Sequence, residues 1–185
     1  MKKQINILAI DDHKASMMGY KYILQNTEFT DLDINIETAT SYEEALQKIE
    51  LSKKEDPIDV YLVDVELDND YNELDKSGLL LGKNIREIDP HSKIIFVSVY
   101  EDNYHINKIL SYINPDGYVV KSDISSNTFK EMIESILNNV PYYSSRSLLA
   151  IRRFFSGGLL FTQTDADILY CISIGKSIPQ TSEQL

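Results

Sequence analysis

The sequence predicts an α/β fold whose core is a doubly wound parallel sheet of five strands. Five short apolar runs alternate with segments of helical periodicity over residues 5–137, and polar residues mark the ends of several runs. Because each parallel connection needs a crossover helix, this alternation predicts helices on both faces of one sheet.

The predicted strands are the short apolar runs. They cover residues 5–10, 34–38, 58–63, 93–99 and 117–120. Such nearly continuous apolar runs are typical of strands buried on both faces of a parallel sheet. The first run ends at Asp11 and Asp12, the third at Asp64 and the fifth at Lys121.

The predicted helices occupy the segments between and after the strands. They cover residues 14–25, 41–49, 79–87, 104–113 and 129–137. A capping-box pattern from Ser41 to Glu44 opens the second helix, and Gly78 precedes the third. The fifth carries an apolar stripe from Phe129 to Leu137, and its end is followed by a proline.

The charge of the chain is negative and unevenly distributed. Eighteen Lys and Arg residues face 29 Asp and Glu residues, a net charge of −11, and 26 of the acids lie within residues 1–140. An acidic surface repels the phosphates of nucleic acids, so this region is not expected to bind DNA. DNA affinity would have to come from the end of the chain or beyond it.

The composition favours a cytoplasmic protein without a membrane partner. Cys171 is the single cysteine, which excludes an internal disulfide and fits a reducing compartment. The apolar run after the first lysines extends only over residues 5–10 before it meets two aspartates. This is too short for an export signal or a membrane span.

Polar side chains at the strand ends form the candidate site. In a parallel sheet the carboxyl ends of the strands lie at one edge, where ligands bind. The residues placed there are Asp11, Asp12, Asp64, Ser98 and Lys121. Converging carboxylates repel one another unless a hard cation binds between them, and oxygen ligands favour Mg²⁺.

These residue types suit phosphoryl transfer to a carboxylate. Asp64 is predicted to attack phosphorus, with Mg²⁺ and Lys121 neutralising the oxygens of the transferred group. Ser98 is placed to donate its hydroxyl to the new acyl phosphate.

Residues 4–140 resemble the receiver domain of bacterial two-component response regulators, which has a flavodoxin-like fold. The resemblance rests on the acidic pair Asp11 and Asp12, on Asp64, on Ser98 and on Lys121, in order and at strand ends. It implies that Asp64 is the phosphoacceptor and that a sensor histidine kinase is the partner. It implies self-phosphorylation and self-dephosphorylation rather than an enzyme with a separate substrate.

The resemblance also implies roles for residues that the pattern alone does not select. Tyr118, three positions before the lysine, corresponds to the aromatic switch that acts with Ser98. The backbone carbonyl of Glu66 corresponds to a metal ligand, and Asp11 to a ligand that acts partly through water. A helix face over about residues 104–120 is expected to change partners and to support a homodimer.

The segment after Asp64 departs from the family. Gly78 follows Asp64 by fourteen positions where eight are usual, so the acidic loop over residues 66–77 is expected to protrude. Its aspartate spacing imitates a calcium loop, but Glu73 stands where glycine is needed and Leu79 where glutamate is needed. We therefore reject an EF-hand and expect a solvated loop.

The rim of the site carries two residues that bear on dephosphorylation. Glu66 and Tyr100 lie two positions after Asp64 and Ser98, at places that in the family tune hydrolysis of the phosphoryl group. Our hypothesis is that they hinder or misorient the attacking water and prolong the phosphorylated state. The alternative is a solvent-facing pair without kinetic effect. Val99 replaces a small residue and is expected to narrow access to Asp64.

The chain is predicted to contain a receiver domain (1–140), a linker (141–158) with a short helix near residues 148–155, and a C-terminal segment (159–185). Thr162 is predicted to cap a helix that stops at Gly175. The segment resembles the first half of a LuxR-type helix-turn-helix domain and lacks the recognition helix. Regulation of transcription is therefore expected only through a complete C-terminal DNA-binding domain.

Two other classes of protein share this fold or this chemistry. A pseudo-receiver would keep the fold without phosphorylation, but Asp11, Asp12, Asp64 and Lys121 are all present. A Mg²⁺-dependent phosphatase of the haloacid dehalogenase type also uses an aspartyl phosphate. It needs an aspartate two positions after the nucleophile, where this chain has Glu66.

Overall fold

The structure is a computed structural model that describes residues 2–52, 56–67 and 78–156. The strands are β1 (Lys3–Ile10), β2 (Leu32–Ala39), β3 (Val60–Asp64), β4 (Lys93–Ser98), β5 (Gly117–Val120) and β6 (Tyr142–Tyr143). The helices are α1 (Lys14–Asn26), α2 (Tyr42–Ser52), α3 (Gly78–Ile88), α4 (Asn103–Ile113), α5 (Ser126–Leu137) and α6 (Ser145–Ser156), with a 3₁₀ turn at Lys121–Asp123. The predicted C-terminal segment and most of the acidic loop lie outside the described residues.

The strands form one parallel sheet in the order β2-β1-β3-β4-β5-β6. Helices α1 and α5 pack on one face, and α2, α3, α4 and α6 pack on the other. All five residues of β3 are buried, as expected for a central strand covered on both faces. The predicted flavodoxin-like α/β fold is confirmed. Within the described ranges, no helix is both long and apolar enough to cross a bilayer.

Local capping fixes where several helices begin. Ser41 Oγ accepts a hydrogen bond from the Glu44 backbone N–H at 3.2 Å, and the Glu44 carboxylate accepts one from the Thr40 N–H at 2.7 Å. The predicted capping box is therefore present, with its returning bond one residue further back. Asp102 and Ser125 cap α4 and α5 in the same way, each through a bond from an N–H three residues ahead.

The sheet has one more strand than the five predicted. In β6, the Tyr142 N–H donates to Asp116 O at 3.0 Å, and just beyond it the Ser144 N–H donates to Tyr118 O at 3.1 Å. A run of two residues is too short to show strand periodicity, and its pairing depends on the free edge of β5. The prediction of a parallel sheet is thus confirmed, but its count of five strands missed β6.

The predicted linker helix is present as α6 and begins three residues earlier than expected. Ala150 is 1% exposed and belongs to the same apolar cluster as β5 and α4. The chain after α5 is thus packed onto the sheet up to the end of α6. The division of the chain at residues 140 and 158 stays a prediction.

Candidate functional site

The site lies at the carboxyl edge of the sheet, beyond the ends of the neighbouring strands β1 and β3. Asp11 follows β1, Asp64 is the last residue of β3, and Lys121 follows β5. Lys121 Nζ lies 2.8 Å from Asp11 Oδ2 and 2.7 Å from Asp64 Oδ2. Both carboxylates are buried, with 0% and 5% exposed. The fold therefore brings together three side chains that are far apart in sequence.

Burial dominates the electrostatics of Asp64. It raises the pKa of the Asp64 carboxyl to about 6, although the hydrogen bond and charge of Lys121 lower it and the charge of Asp11 raises it further. Burial alone would lower the pKa of Lys121. The hydrogen bonds to Asp11 and Asp64 outweigh that effect and raise the pKa of its ammonium group. Lys121 is therefore a charged counterion at neutral pH.

The acidic cluster fits a divalent cation. Ligand atoms of Asp11, Asp12, His13 and Asp64 all lie within 4.8 Å of one another. Their charge exceeds what Lys121 neutralises, and carboxylate oxygens are the ligands of hard cations. Asp11 is the most constrained member, because its oxygens also accept bonds from the His13 N–H at 2.9 Å and from the Tyr20 hydroxyl at 3.2 Å.

Glu66 lies at the rim of the site. Its backbone N–H is 3.4 Å from Asp64 Oδ1, and its exposed carboxylate accepts a hydrogen bond from the hydroxyl of Tyr100. The Tyr100 ring in turn stacks on the ring of His105, with centroids 3.8 Å apart and planes 5° from parallel. Ligation of a metal by the Glu66 carbonyl stays a prediction.

Ser98 and Tyr118 both contact the backbone of Tyr100. Ser98 Oγ, almost fully buried, accepts from the Tyr100 N–H at 3.1 Å, and the Tyr118 hydroxyl donates to Tyr100 O at 2.8 Å. Burial raises the pKa of the Tyr118 hydroxyl, and a hydrogen bond from the Ser98 side chain moderates the rise. The two predicted switch residues are thus linked through the backbone of Tyr100.

Two residues near the carboxylates were missed in the sequence. Tyr20 has the spacing of a core position on α1, and only its proximity to Asp11 reveals the bond that its hydroxyl makes. His13 directly follows the acidic pair, so its position was a usable signal. The His13 ring contacts the carboxylate of Asp12, with Nδ1 at 2.6 Å from Oδ1.

Residues 7–134 match the family model described as the response regulator receiver domain. The match covers more than half of the chain and includes all of the residues placed at the site. The chain belongs to the response regulator receiver family. Members of this family are regulatory proteins and bind Mg²⁺ through acidic residues. This chain has a cluster of Asp11, Asp12 and Asp64.

Solved structures show the same fold at low sequence identity. RcsB of Salmonella typhimurium has a TM-score of 0.68 at 14% identity, and the match covers 100% of this receiver chain and 84% of that chain. A LuxR-family two-component response regulator from Aurantimonas sp. SI85-9A1 has a TM-score of 0.67 at 20% sequence identity. That match covers 83% of this chain and 99% of the other. The RcsB response regulator in a complex with DNA has a TM-score of 0.71 at 15% sequence identity. That match covers 98% of this chain and 83% of the RcsB chain. No curated protein is significantly similar to the chain.

Proposed function

We propose that this response regulator receiver is a phosphorylation-dependent switch that controls transcription through a C-terminal DNA-binding domain. A sensor histidine kinase would donate the phosphoryl group to Asp64. The observation that carries the proposal is the buried contact of Lys121 with Asp11 and Asp64 at 2.8 and 2.7 Å. It supplies a nucleophilic carboxylate, an acidic partner and a fixed cation in one place.

In the transfer, an Asp64 oxygen forms a bond to phosphorus while the bond from phosphorus to the kinase imidazole breaks. The kinase imidazole, which carries a proton on its other nitrogen, takes the electron pair of the broken P–N bond and leaves as the neutral ring. Lys121 moves from the Asp64 carboxylate to the oxygens of the transferred group. Asp12 and Asp64 would hold Mg²⁺ directly, Asp11 partly through water and Glu66 through its carbonyl. When bound, Mg²⁺ neutralises charge on the transferring group.

The acyl phosphate would change the hydrogen bonds of Ser98. In the structure Ser98 Oγ accepts a hydrogen bond from the Tyr100 N–H at 3.1 Å, and the Tyr118 hydroxyl donates to Tyr100 O at 2.8 Å. Donation of the Ser98 hydroxyl to the phosphoryl oxygens would draw Ser98 Oγ away from the Tyr100 N–H, and so would shift the residue whose carbonyl binds the Tyr118 hydroxyl. The Tyr118 ring, which is fully buried here, then loses one of the contacts that fix it.

The linker residues Ser144 and Ser147 contact the backbone of Tyr118, so a movement of Tyr118 would reach them. Tyr118 O accepts hydrogen bonds from the Ser144 N–H at 3.1 Å and from Ser147 Oγ at 3.2 Å. The α4 and β5 side, which was expected to support a homodimer, carries β6 and α6 of the same chain. We therefore infer that α6 connects Tyr118 to the DNA-binding segment, and that a homodimer at this side involves α6.

The test is incubation of the chain with Mg²⁺ and acetyl phosphate, followed by measurement of the intact mass. We expect a Mg²⁺-dependent phosphate adduct that is absent from Asp64→Asn, a substitution that keeps the size of the side chain. A folded protein without an adduct would contradict the proposal and favour a pseudo-receiver. Steady hydrolysis of a phosphomonoester would instead favour the phosphatase.

A further inference from the structure

His13 is a nitrogen-bearing side chain at the mouth of the carboxylate cluster. Its Nδ1 atom lies 2.6 Å from Asp12 Oδ1 and 3.4 Å from Asp11 Oδ1. The side chain is 61% exposed, while the Asp11 and Asp12 side chains beside it are 0% and 16% exposed. The imidazole therefore borders the buried oxygens from the solvent side.

We propose that His13 is an additional ligand of the divalent cation at this site, and that it shifts the preference from Mg²⁺ towards first-row transition ions such as Mn²⁺, Co²⁺ and Zn²⁺. This inference rests on the proposed metal site of Asp12 and Asp64. It goes beyond that site by adding a residue and by specifying the class of ion.

The position of the His13 backbone limits where its ring can go. The His13 N–H donates to Asp11 Oδ1 at 2.9 Å, and α1 begins at the next residue. Beside this fixed backbone the ring lies over the acidic pair, and the nitrogen on the side of the carboxylates is Nδ1. Because the ring is largely exposed, the neutral form can carry its proton on the other nitrogen, in contact with water. Binding through Nδ1 then needs no proton acceptor from the protein.

The chemistry of the ligand set gives the direction of the preference. Mg²⁺ holds its water strongly and favours oxygen, so exchange of a water for an imidazole gives it little. First-row transition ions exchange water for imidazole at a greater gain than Mg²⁺ does, and this gain is smallest for Mn²⁺ and larger for Co²⁺ and Zn²⁺. A set of carboxylates with one imidazole therefore favours these ions over Mg²⁺. In an oxygen-only set, His13 would be merely the counterion of Asp12.

Mn²⁺ is the probe that separates these two roles, because its electron spin reports directly bound ¹⁴N nuclei. We expect pulsed electron paramagnetic resonance of the Mn²⁺-loaded full chain to show ¹⁴N modulation from imidazole. The modulation should be lost in His13→Asn and kept in His91→Asn, a matched change at an exposed histidine on the loop before β4. The Mn²⁺ affinity of His13→Asn should fall about tenfold, whereas the Mg²⁺ affinity should change less than about twofold.

The outcomes distinguish this inference from the proposed function. Mn²⁺ that binds without imidazole modulation in the unmodified chain overturns the His13 assignment and leaves phosphorylation of Asp64 standing. Modulation that persists unchanged in His13→Asn assigns the bound nitrogen to another residue and also overturns it. Failure to bind either ion, together with no phosphate adduct, would overturn both proposals. The spectrum of the unmodified chain decides the question even if a variant does not fold.

Discussion

Asp116 shows how a single residue joins distant parts of the receiver. Its carboxylate accepts hydrogen bonds from the Arg86 guanidinium at 2.6 Å, the Lys93 ammonium at 3.1 Å and the Ile94 N–H at 3.0 Å. Partial burial alone would raise the pKa of Asp116. The bonds from Ile94, Arg86 and Lys93 outweigh it and hold the pKa below its usual range. This carboxylate therefore stabilises the fold in its ionised form.

We expect Asp116→Asn to lower the free energy of unfolding by about 1–3 kcal/mol at neutral pH, because it weakens bonds to two cations. The folded pKa is depressed, so the contribution is complete above the unfolded value of about 3.9 and is lost as the pH falls through the folded pKa. Urea denaturation at several pH values measures both quantities. A difference between the two proteins that stays constant down to pH 3 would contradict this assignment.

Tyr100 lies at the rim of the site, between Glu66 and Ser98 and beside the proposed position of the phosphoryl group. Its hydroxyl donates to the Glu66 carboxylate, its ring stacks on His105, and His105 Nδ1 lies 2.7 Å from Asp102 Oδ2. The ring is thus fixed from the α4 side. This arrangement supports the hypothesis that Tyr100 restricts the water that hydrolyses an acyl phosphate.

We expect Tyr100→Ala to shorten the half-life of the phosphorylated protein roughly threefold to tenfold, equivalent to about 1 kcal/mol of activation free energy. Tyr100→Phe keeps the ring and removes the hydrogen bond to Glu66. The half-life of its phosphorylated form should therefore lie between those of the alanine variant and the unmodified protein. Loss of the adduct after removal of acetyl phosphate gives the rates. Equal half-lives in all three proteins would refute the kinetic role and leave only a rim contact.

At the scale of elements, the start of α3 is packed directly against the end of β3. The Gly78 N–H donates to Val65 O at 3.1 Å, and a Cβ built on Gly78 would lie 1.8 Å from the backbone oxygen of Asp64. No side chain fits there without a backbone shift. Glycine at this position therefore fixes where α3 begins after the long acidic loop, next to the proposed phosphoacceptor Asp64.

We expect Gly78→Ala to destabilise the receiver by about 1–3 kcal/mol and to slow formation of the Asp64 adduct, because the methyl group displaces the end of β3. Gly19→Ala is the matched control. Gly19 lies inside α1 with no atom within 4 Å of an added Cβ, so this change should stabilise the protein by about 0.5–1 kcal/mol. Thermal unfolding and the adduct assay report the two effects. Equal stabilities would show that α3 can shift at no cost.

At the scale of the whole molecule, α6 belongs to the packing of the receiver. Ala150 is buried in the larger apolar cluster, and the Arg146 guanidinium pairs with Glu101 at 2.8 Å and with Asp123 at 3.1 Å. The exposed ion pairs add little to the stability. The buried face of α6 and the pairing of β6 with β5 add more, so residues 142–156 should unfold together with the sheet.

We expect Ala150→Glu to lower the free energy of unfolding by about 2–4 kcal/mol, because it places a charge in the apolar contact between α6 and the sheet. Leu149→Glu, at a neighbouring position that is 52% exposed, should change it by less than about 0.5 kcal/mol. Chemical denaturation followed by circular dichroism measures both. Equal stabilities would mean that α6 unfolds separately from the receiver.

The sequence by itself determined the alternation of strands and helices and the meeting of Asp11, Asp64 and Lys121. The alternation is local, since a periodicity of 3.6 or a run of apolar residues is present within each segment. The meeting of the three residues follows from a general property of parallel sheets, whose strands share one carboxyl edge. No side-chain detail was needed for either prediction.

Only the tertiary structure decided which side chains and which strand edges meet when they are far apart in the sequence. The strand β6 depends on the free edge of β5, and the bond of Tyr20 to Asp11 depends on how α1 lies against β1. The stacking of Tyr100 on His105 likewise depends on the approach of α4 to the end of β4. Such contacts are set by the distances between packed elements, which no local pattern in the sequence encodes.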